Sequence, residues 1–200
     1  MATSDQPATP HGRRIIVVGP SCSGKTTLGA EIARRIGTPF IELDALFWKP
    51  GWTPPPDDEF REKLLEAHAR DSWVSAGNYL RHTRHLTWPL AETIIWLDFP
   101  LHITTPRVLA RSWRRWRSKE LLWGTNRERF WHQLKFWSPN DSLIAYNALQ
   151  HRKHRATFEQ AMDDARAAGK RFLRLASPRA VERLLQHLPP ETGTTRLSGP

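Results

Sequence analysis

Along the chain, short runs of consecutive apolar residues alternate with stretches in which apolar residues recur every three to four positions. Residues 15–18 (IIVV) form an unbroken apolar run closed by Gly19-Pro20, which predicts a strand buried on both faces. The following segment, 24–36, carries Leu28, Ile32 and Ile36 four apart and stops at Gly37, the pattern of an amphipathic helix. Residues 39–43 read as a second strand. Pro54, Pro55 and Pro56 then lead into Asp57, Asp58 and Glu59, an acidic first turn that suits the positive end of a helix running to about residue 70. Residues 72–76, 93–97 and 170–175 read as three more strands, and 178–188 as a closing helix. Near-continuous apolar strands separated by helices indicate a parallel sheet covered on both faces. The expected fold class is α/β, doubly wound.

The ends of the chain behave differently. Residues 1–12 and 189–200 are rich in small, polar and proline residues without periodicity, so both are expected to be flexible tails flanking one domain over 13–188. A chain of 200 residues can build an ample core, and its single cysteine forms no internal disulfide. No apolar run approaches the roughly 20 residues needed to span a bilayer, and the N-terminus lacks a secretory pattern. A soluble cytoplasmic protein is therefore expected. The net charge of +10 favours anionic partners without choosing among nucleotides, nucleic acid and acidic membrane surfaces.

One segment narrows that choice. Gly19-Pro20-Ser21-Cys22-Ser23-Gly24-Lys25-Thr26 fits G-x-x-x-x-G-K-[ST], preceded by a β-branched strand and followed by a helix. Glycines let the backbone turn tightly so that successive N–H groups converge on an oxyanion, and the helix start adds its positive dipole end. Lys25 would neutralise β- and γ-phosphate charge, and the Thr26 hydroxyl would ligate Mg²⁺. ATP and Mg²⁺ are the expected cofactors, held by Gly19, Ser21, Cys22, Ser23, Gly24, Lys25, Thr26 and Thr27. Cys22 reads either as a small filler or as a thiol acidified by the helix start.

Three further segments carry a resemblance: residues 41–52 (IELDALFWKPGW), 73–79 (WVSAGNY) and 96–100 (WLDFP). In this order and spacing the chain resembles the adenylate-kinase-related P-loop proteins often labelled DNA topology modulation proteins, over about residues 14–188. The resemblance implies a three-layer P-loop NTPase fold with a five-stranded parallel sheet in the order 2-3-1-4-5 and a mobile lid. It implies that Asp44, at the end of the second strand, orients Mg²⁺ or the acceptor hydroxyl, unless it merely caps the next segment. Asn78, Tyr79 and Arg81 resemble the wall that binds the acceptor, with a polar turn as the alternative. One departure stands out: members commonly carry Asp before Gly-Asn-Tyr, where it supports the metal, and this chain has Ala76. Asp98 reads as a structural residue at a strand-to-helix junction.

Residues 107–137 hold nine basic residues (107, 111, 114, 115, 117, 119, 127, 129 and 135) against Glu120 and Glu128, and five of the ten tryptophans. Arg107 and Arg111 lie four apart on one helix face, at the spacing from Asp98 where adenylate-kinase-like lids begin their phosphate-clamping arginines. The expectation is a basic helical lid over about 107–137, with Arg107 and Arg111 catalytic alongside Lys25 and Asp44; for Arg114, Arg127 and Arg129 a solvated basic face outweighs phosphate contact. Nucleic-acid binding and membrane attachment are rival uses of the same stretch, neither with a motif behind it. The pairs His82/His85 and His151/His154 have metal-ligand spacing but lack completing ligands, and the sequon at 140–142 has no meaning in a cytosolic chain. Two functions follow: transfer of the ATP γ-phosphate to a small-molecule acceptor, possibly a nucleotide, or a nucleotide-binding regulatory or DNA-associated role with little kinase activity. Neither the acceptor nor the oligomeric state is legible.

Overall fold

The computed structural model describes residues 12–128, 130–134, 138 and 142–189. Nearly all of both expected tails, Arg129 and residues 140–141 of the sequon lie outside them.

Five parallel strands form the central sheet: β1 (Arg14–Val18), β2 (Phe40–Glu42), β3 (Trp73–Ala76), β4 (Thr93–Leu97) and β7 (Arg171–Leu175). Their spatial order is β2-β3-β1-β4-β7. Counting only strands of this sheet, that is the expected 2-3-1-4-5. The extra numbers belong to β5 (Leu121–Leu122) and β6 (Asn126–Arg127), an antiparallel hairpin outside the main sheet. Successive β1 residues point to opposite faces: Ile15 and Val17 pack with Leu28 and Ile32, whereas Ile16 and Val18 join Phe60, Leu64 and Phe158. All four are at most 2% exposed. Apolar residues covered from both sides explain why the strands read as unbroken runs.

On one face lie α1 (Lys25–Ile36) and α7 (Pro178–Gln186); on the other lie α3 (Asp57–Ala67) and α6 (Leu143–Ala167). The short helices α2 (Leu43–Phe47) and α4 (Leu80–Leu86) follow β2 and β3, and α5 (Leu101–Ser118) follows β4. Helix α6, 25 residues long, was not anticipated: it meets the sheet largely through alanines and isolated larger residues such as Ala161, Phe158 and Met162, a faint periodic signal. Among the described residues no helix is long and apolar enough to cross a membrane.

Two glycines set how closely the loops approach the strand ends. Gly19 has φ +151°, and a Cβ there would lie 2.7 Å from the Leu97 carbonyl oxygen. Gly77 has φ +153°, and a Cβ there would come within 2.6 Å of Leu43 Cβ. Both residues directly follow central strands, so the loops after β1, β2 and β3 crowd together at the carboxyl edge, where doubly wound sheets bind ligands.

Candidate functional site

The loop after β1 wraps the start of α1. Ser23 N–H donates to the Pro20 carbonyl (3.2 Å), Cys22 sits in the left-handed region (φ +60°), and Gly24 caps the helix with φ +95°. Gly19 N–H donates to Asn78 Oδ1 (3.1 Å), so Asn78 braces the first residue of the loop. This differs from the expected place of Asn78 in the acceptor wall. The Lys25 ammonium donates to the Pro20 carbonyl at 3.3 Å. Crowding lowers the Lys25 pKa, chiefly through desolvation, with the nearby Asp44 charge opposing and Arg111 adding to the shift. Ser23 is buried with an unpartnered hydroxyl, Ser21 is half-buried, and Thr26 and Thr27 are exposed.

Helix α5 brings Arg111 and Arg115 near this loop. Arg111 is close enough to act electrostatically on both Lys25 and Cys22, and its buried Nε has no hydrogen-bond partner. Burial nevertheless pushes the Cys22 thiol up, despite the pull of Arg111 and Lys25. An acidified thiol, one of the two readings of this residue, is thus not what the loop provides. One turn further, Arg115 pairs with Glu128 (3.3 Å), whose other oxygen accepts from Ser112. Arg107 separates from Arg111: it is exposed and rests over the Phe99 ring, 5.6 Å from its centroid. Arg114 and Arg127 are exposed as well.

At the end of β2 the sequence reading missed a residue. The strand stops at Glu42, and Asp44 falls in the first turn of α2 instead of ending the strand. Glu42 accepts from the Thr26 hydroxyl (Oε1, 3.4 Å) and from the Trp123 indole (Oε2, 3.2 Å). Its register partner on β3 is Ala76. A single acid closing a three-residue strand left no pattern in the sequence to find it by. Asp44 accepts from the Tyr79 hydroxyl at 2.6 Å. Burial, with the Asp44 charge adding to it, drives the Tyr79 pKa far up, so the phenol remains the donor.

The β5–β6 hairpin closes over the same corner. Asn126, 2% exposed, accepts from Trp52 N–H (2.9 Å) and donates to the Lys49 carbonyl (3.0 Å), while the Trp52 indole donates to the Arg127 carbonyl (3.0 Å). Part of the expected lid therefore docks onto the 49–53 loop. Arg81 does not join the site: it pairs with Asp57 (2.7 Å) on the surface, as does His82. Asp98 is structural, bonded to Arg174 and Arg155. Among the described residues no group of three His, Cys, Asp or Glu side chains is placed to hold a metal by itself.

The described tryptophans fall into three classes. Trp73, Trp88 and Trp96 are core; Trp48, Trp52 and Trp123 are half-buried near the carboxylates; Trp113, Trp116 and Trp131 are exposed and stack with Phe130. Trp137 lies outside the described residues, as does Lys135.

No protein-family model matches the chain. No curated protein matches it either. Among solved structures, a shikimate kinase from Bacteroides thetaiotaomicron shares 19% identity over 87% of this chain and 94% of its own, with a TM-score of 0.49. A shikimate kinase from Acinetobacter baumannii in complex with shikimate shares 18% over 88% and 89%, also at 0.49. A gluconokinase from Sinorhizobium meliloti 1021 shares 20% over 88% and 91%, at 0.44. These likenesses are distant; the fold stands on this chain's own strand order and the site on its own side chains.

Proposed function

We propose that the chain is an ATP-dependent phosphotransferase that moves the γ-phosphoryl group to a hydroxyl of a small molecule. The observation that carries this reading is convergence at one sheet edge. Lys25 and the unpartnered Arg111 face the phosphate loop, and the carboxylates of Glu42 and Asp44 lie on its acceptor side. Phosphoryl transfer needs little covalent chemistry from the protein, so positioning and charge neutralisation are the work to be done. In this reading residues 13–188 form the catalytic domain, and α5 with the β5–β6 hairpin is its cover. The likeness of residues 41–52 and 73–79 to the topology modulation group supports the same class.

Each side chain then has a task. Loop N–H groups and the α1 dipole hold the β-phosphate, Lys25 bridges toward the γ-phosphate, and Arg111 meets charge that spreads in the transition state. The Thr26 hydroxyl with Glu42 and Asp44 offers the hard oxygen donors that suit Mg²⁺, which would neutralise the phosphates when bound with ATP. Asp44, held at one oxygen by Tyr79, presents the other to the acceptor hydroxyl and can receive its proton. Ala76 removes the carboxylate of the family pattern, yet Glu42, its neighbour on β2, brings an acid to the same corner.

Lys25→Ala tests the reading. By calorimetry, ATP affinity should fall tenfold to a hundredfold, matching the ~1.5–3 kcal/mol of a charge-assisted hydrogen bond, while circular dichroism stays unchanged. Equal affinity in both proteins removes the proposal. The exposed Trp113, Trp116 and Trp131 beside Arg114 and Arg117 favour a second reading, nucleic-acid association. A DNA shift assay at rising salt separates it, because counterion release makes such binding fall steeply.

A further inference from the structure

The aromatic residues near the carboxylates form an unbroken arc with an acid at each end. Asp44 bonds the Tyr79 hydroxyl, and the Tyr79 ring lies 4.5 Å from Phe47. Phe47 stands 4.9 Å from Trp48, Trp48 5.5 Å from Trp52, and Trp52 5.8 Å from Trp123. The Trp123 indole closes the arc on Glu42. All five rings are half-buried, unlike the core tryptophans and unlike the exposed set around Phe130. Both terminal acids act on the phosphate loop: Asp44 and Glu42 are each electrostatically coupled to Lys25, and Glu42 touches Thr26.

The charges around this arc are one-sided. A phosphorylated acceptor needs cations to hold its phosphate, as ATP has in Lys25 and Arg111. Among the described residues the other nearby cations are engaged elsewhere or face solvent. Lys49 pairs with Glu59, Arg81 with Asp57, and Arg115 with Glu128, while Arg127 is exposed. The Arg81 side chain is 79% exposed. An anion set between Glu42 and Asp44 would meet two like charges, while the cation coupled to both, Lys25, is already taken by the phosphates of ATP. Hydroxyls donate well to carboxylates, and indole rings cover the apolar C–H face of a saturated ring.

We propose that the acceptor is a polyhydroxylated ring compound bearing no phosphate or carboxylate, held between Glu42 and Asp44 and against the Trp48–Trp52–Trp123 wall. This rests on the phosphotransfer reading above and replaces a nucleotide as the expected acceptor. It also gives the hairpin a role in specificity, since Trp123 completes the wall only while Asn126 holds the hairpin on Trp52 and Lys49.

The test uses the full chain with ATP and Mg²⁺ and matched pairs of probes: glucose and glucose 6-phosphate, adenosine and AMP, myo-inositol and its monophosphate, with glucosamine as a cationic arm. ATP binding is measured first by calorimetry, then ATP consumption and saturation-transfer NMR with each probe. The uncharged member of at least one ring pair should be preferred by about tenfold or more, the scale of unscreened like-charge repulsion at such distances. Trp123→Ala should abolish that binding while ATP affinity persists, and Arg81→Ala should leave it unchanged. A preference for glucosamine over glucose assigns the acids to a cationic ring of the same class. Engagement of only the phosphorylated members, or of neither glucosamine nor any uncharged probe while ATP binds, overturns the proposal. So does a loss of phosphorylated-probe binding in Arg81→Ala. Failure to bind ATP instead strikes the phosphotransfer reading itself.

Discussion

In the proposed site, the glycine-rich loop after β1 and the hairpin that covers it are built on opposite plans. The loop spans eight consecutive residues, and its geometry follows from local chemistry: two glycines at positive φ, a helix start and a lysine. The cover is assembled from partners far apart in sequence. Trp52 and Asn126 are 74 positions apart, Asn126 and Lys49 77, and Trp123 and Glu42 81. What a contiguous motif specifies survives in almost any context. What long-range pairs specify depends on a few buried bonds, and those bonds are where the two regions can be separated by experiment.

The largest effect is expected beneath the loop. Ala76 is 3% exposed, and its Cβ lies 3.4 Å from where a Cβ on Gly29 would sit, with the Phe40 ring beside them. Ala76→Asp places a carboxylate in that dry contact between β3 and α1. Unfolding in urea should show a loss of ~3 kcal/mol or more, as for an unpaired charge in a packed interior. An undiminished midpoint with faster phosphotransfer would mean that the position is roomy and that metal support was the missing element.

Next is the cover. Asn126→Ala leaves the Trp52 N–H and the Lys49 carbonyl without partners, which should cost about 1–3 kcal/mol. Hydrogen exchange at the Trp52 amide should accelerate, while ATP affinity changes little because no loop contact is touched. If nucleotide affinity falls in parallel, cover and cradle form one cooperative unit and the contrast between them fails.

This contrast also explains how much was legible in advance. The sheet was readable because its strands are apolar runs bounded by Gly and Pro, and the loop because its chemistry is contiguous. Asp44 was singled out for ending the second strand, whereas it falls in the first turn of α2. Glu42 was passed over because a single acid in a three-residue strand carries no pattern; only the register with Ala76 and the reach to Thr26 give it meaning. The hairpin has two-residue strands, too short for any alternation to show, and its turn at Trp123-Gly124 was the one available sign. Arg107 and Arg111 share a spacing that suggests a common task, but Arg107 rests exposed over Phe99 while Arg111 acts on Lys25 in the loop.

Between the two regions stands Tyr79, which fixes one oxygen of Asp44. Tyr79→Phe keeps the ring contacts with Phe47 and Phe60 and removes only the hydroxyl. A net loss of about 1 kcal/mol is expected from the hydrogen bond, seen as a roughly fivefold drop in kcat with ATP affinity unchanged. The split between kcat and ATP affinity is the discriminating readout. Without the donor, one Asp44 oxygen is released and the carboxylate can turn away from the acceptor, so kcat should fall while ATP affinity holds. A drop in ATP affinity with an unchanged kcat would assign Tyr79 to packing alone.

The smallest effect lies away from both regions and checks the sheet they share. His68, at the end of α3, is 3% exposed; its Nδ1 donates to the Leu64 carbonyl (2.8 Å), its Nε2 is buried without a partner, and its ring meets Trp73 edge-on at 4.5 Å. Burial lowers its pKa below the ordinary 6.5, and the bond to Leu64 only partly offsets this. The folded chain therefore keeps the imidazole neutral where the unfolded chain begins to take a proton. As pH falls below the unfolded value of 6.5, the unfolded state gains that proton and stability declines, until the folded pKa is passed. The contribution of one such group is at most about 1.4 kcal/mol per pH unit. Urea midpoints at pH 7.5 and 5.5 should fall more steeply for the natural chain than for His68→Leu. Both chains should bind ATP equally well at pH 7.5, since His68 touches neither the loop nor its cover. Equal acid slopes would mean that the imidazole is protonated inside the fold, and the packing of α3 on Trp73 would need another account.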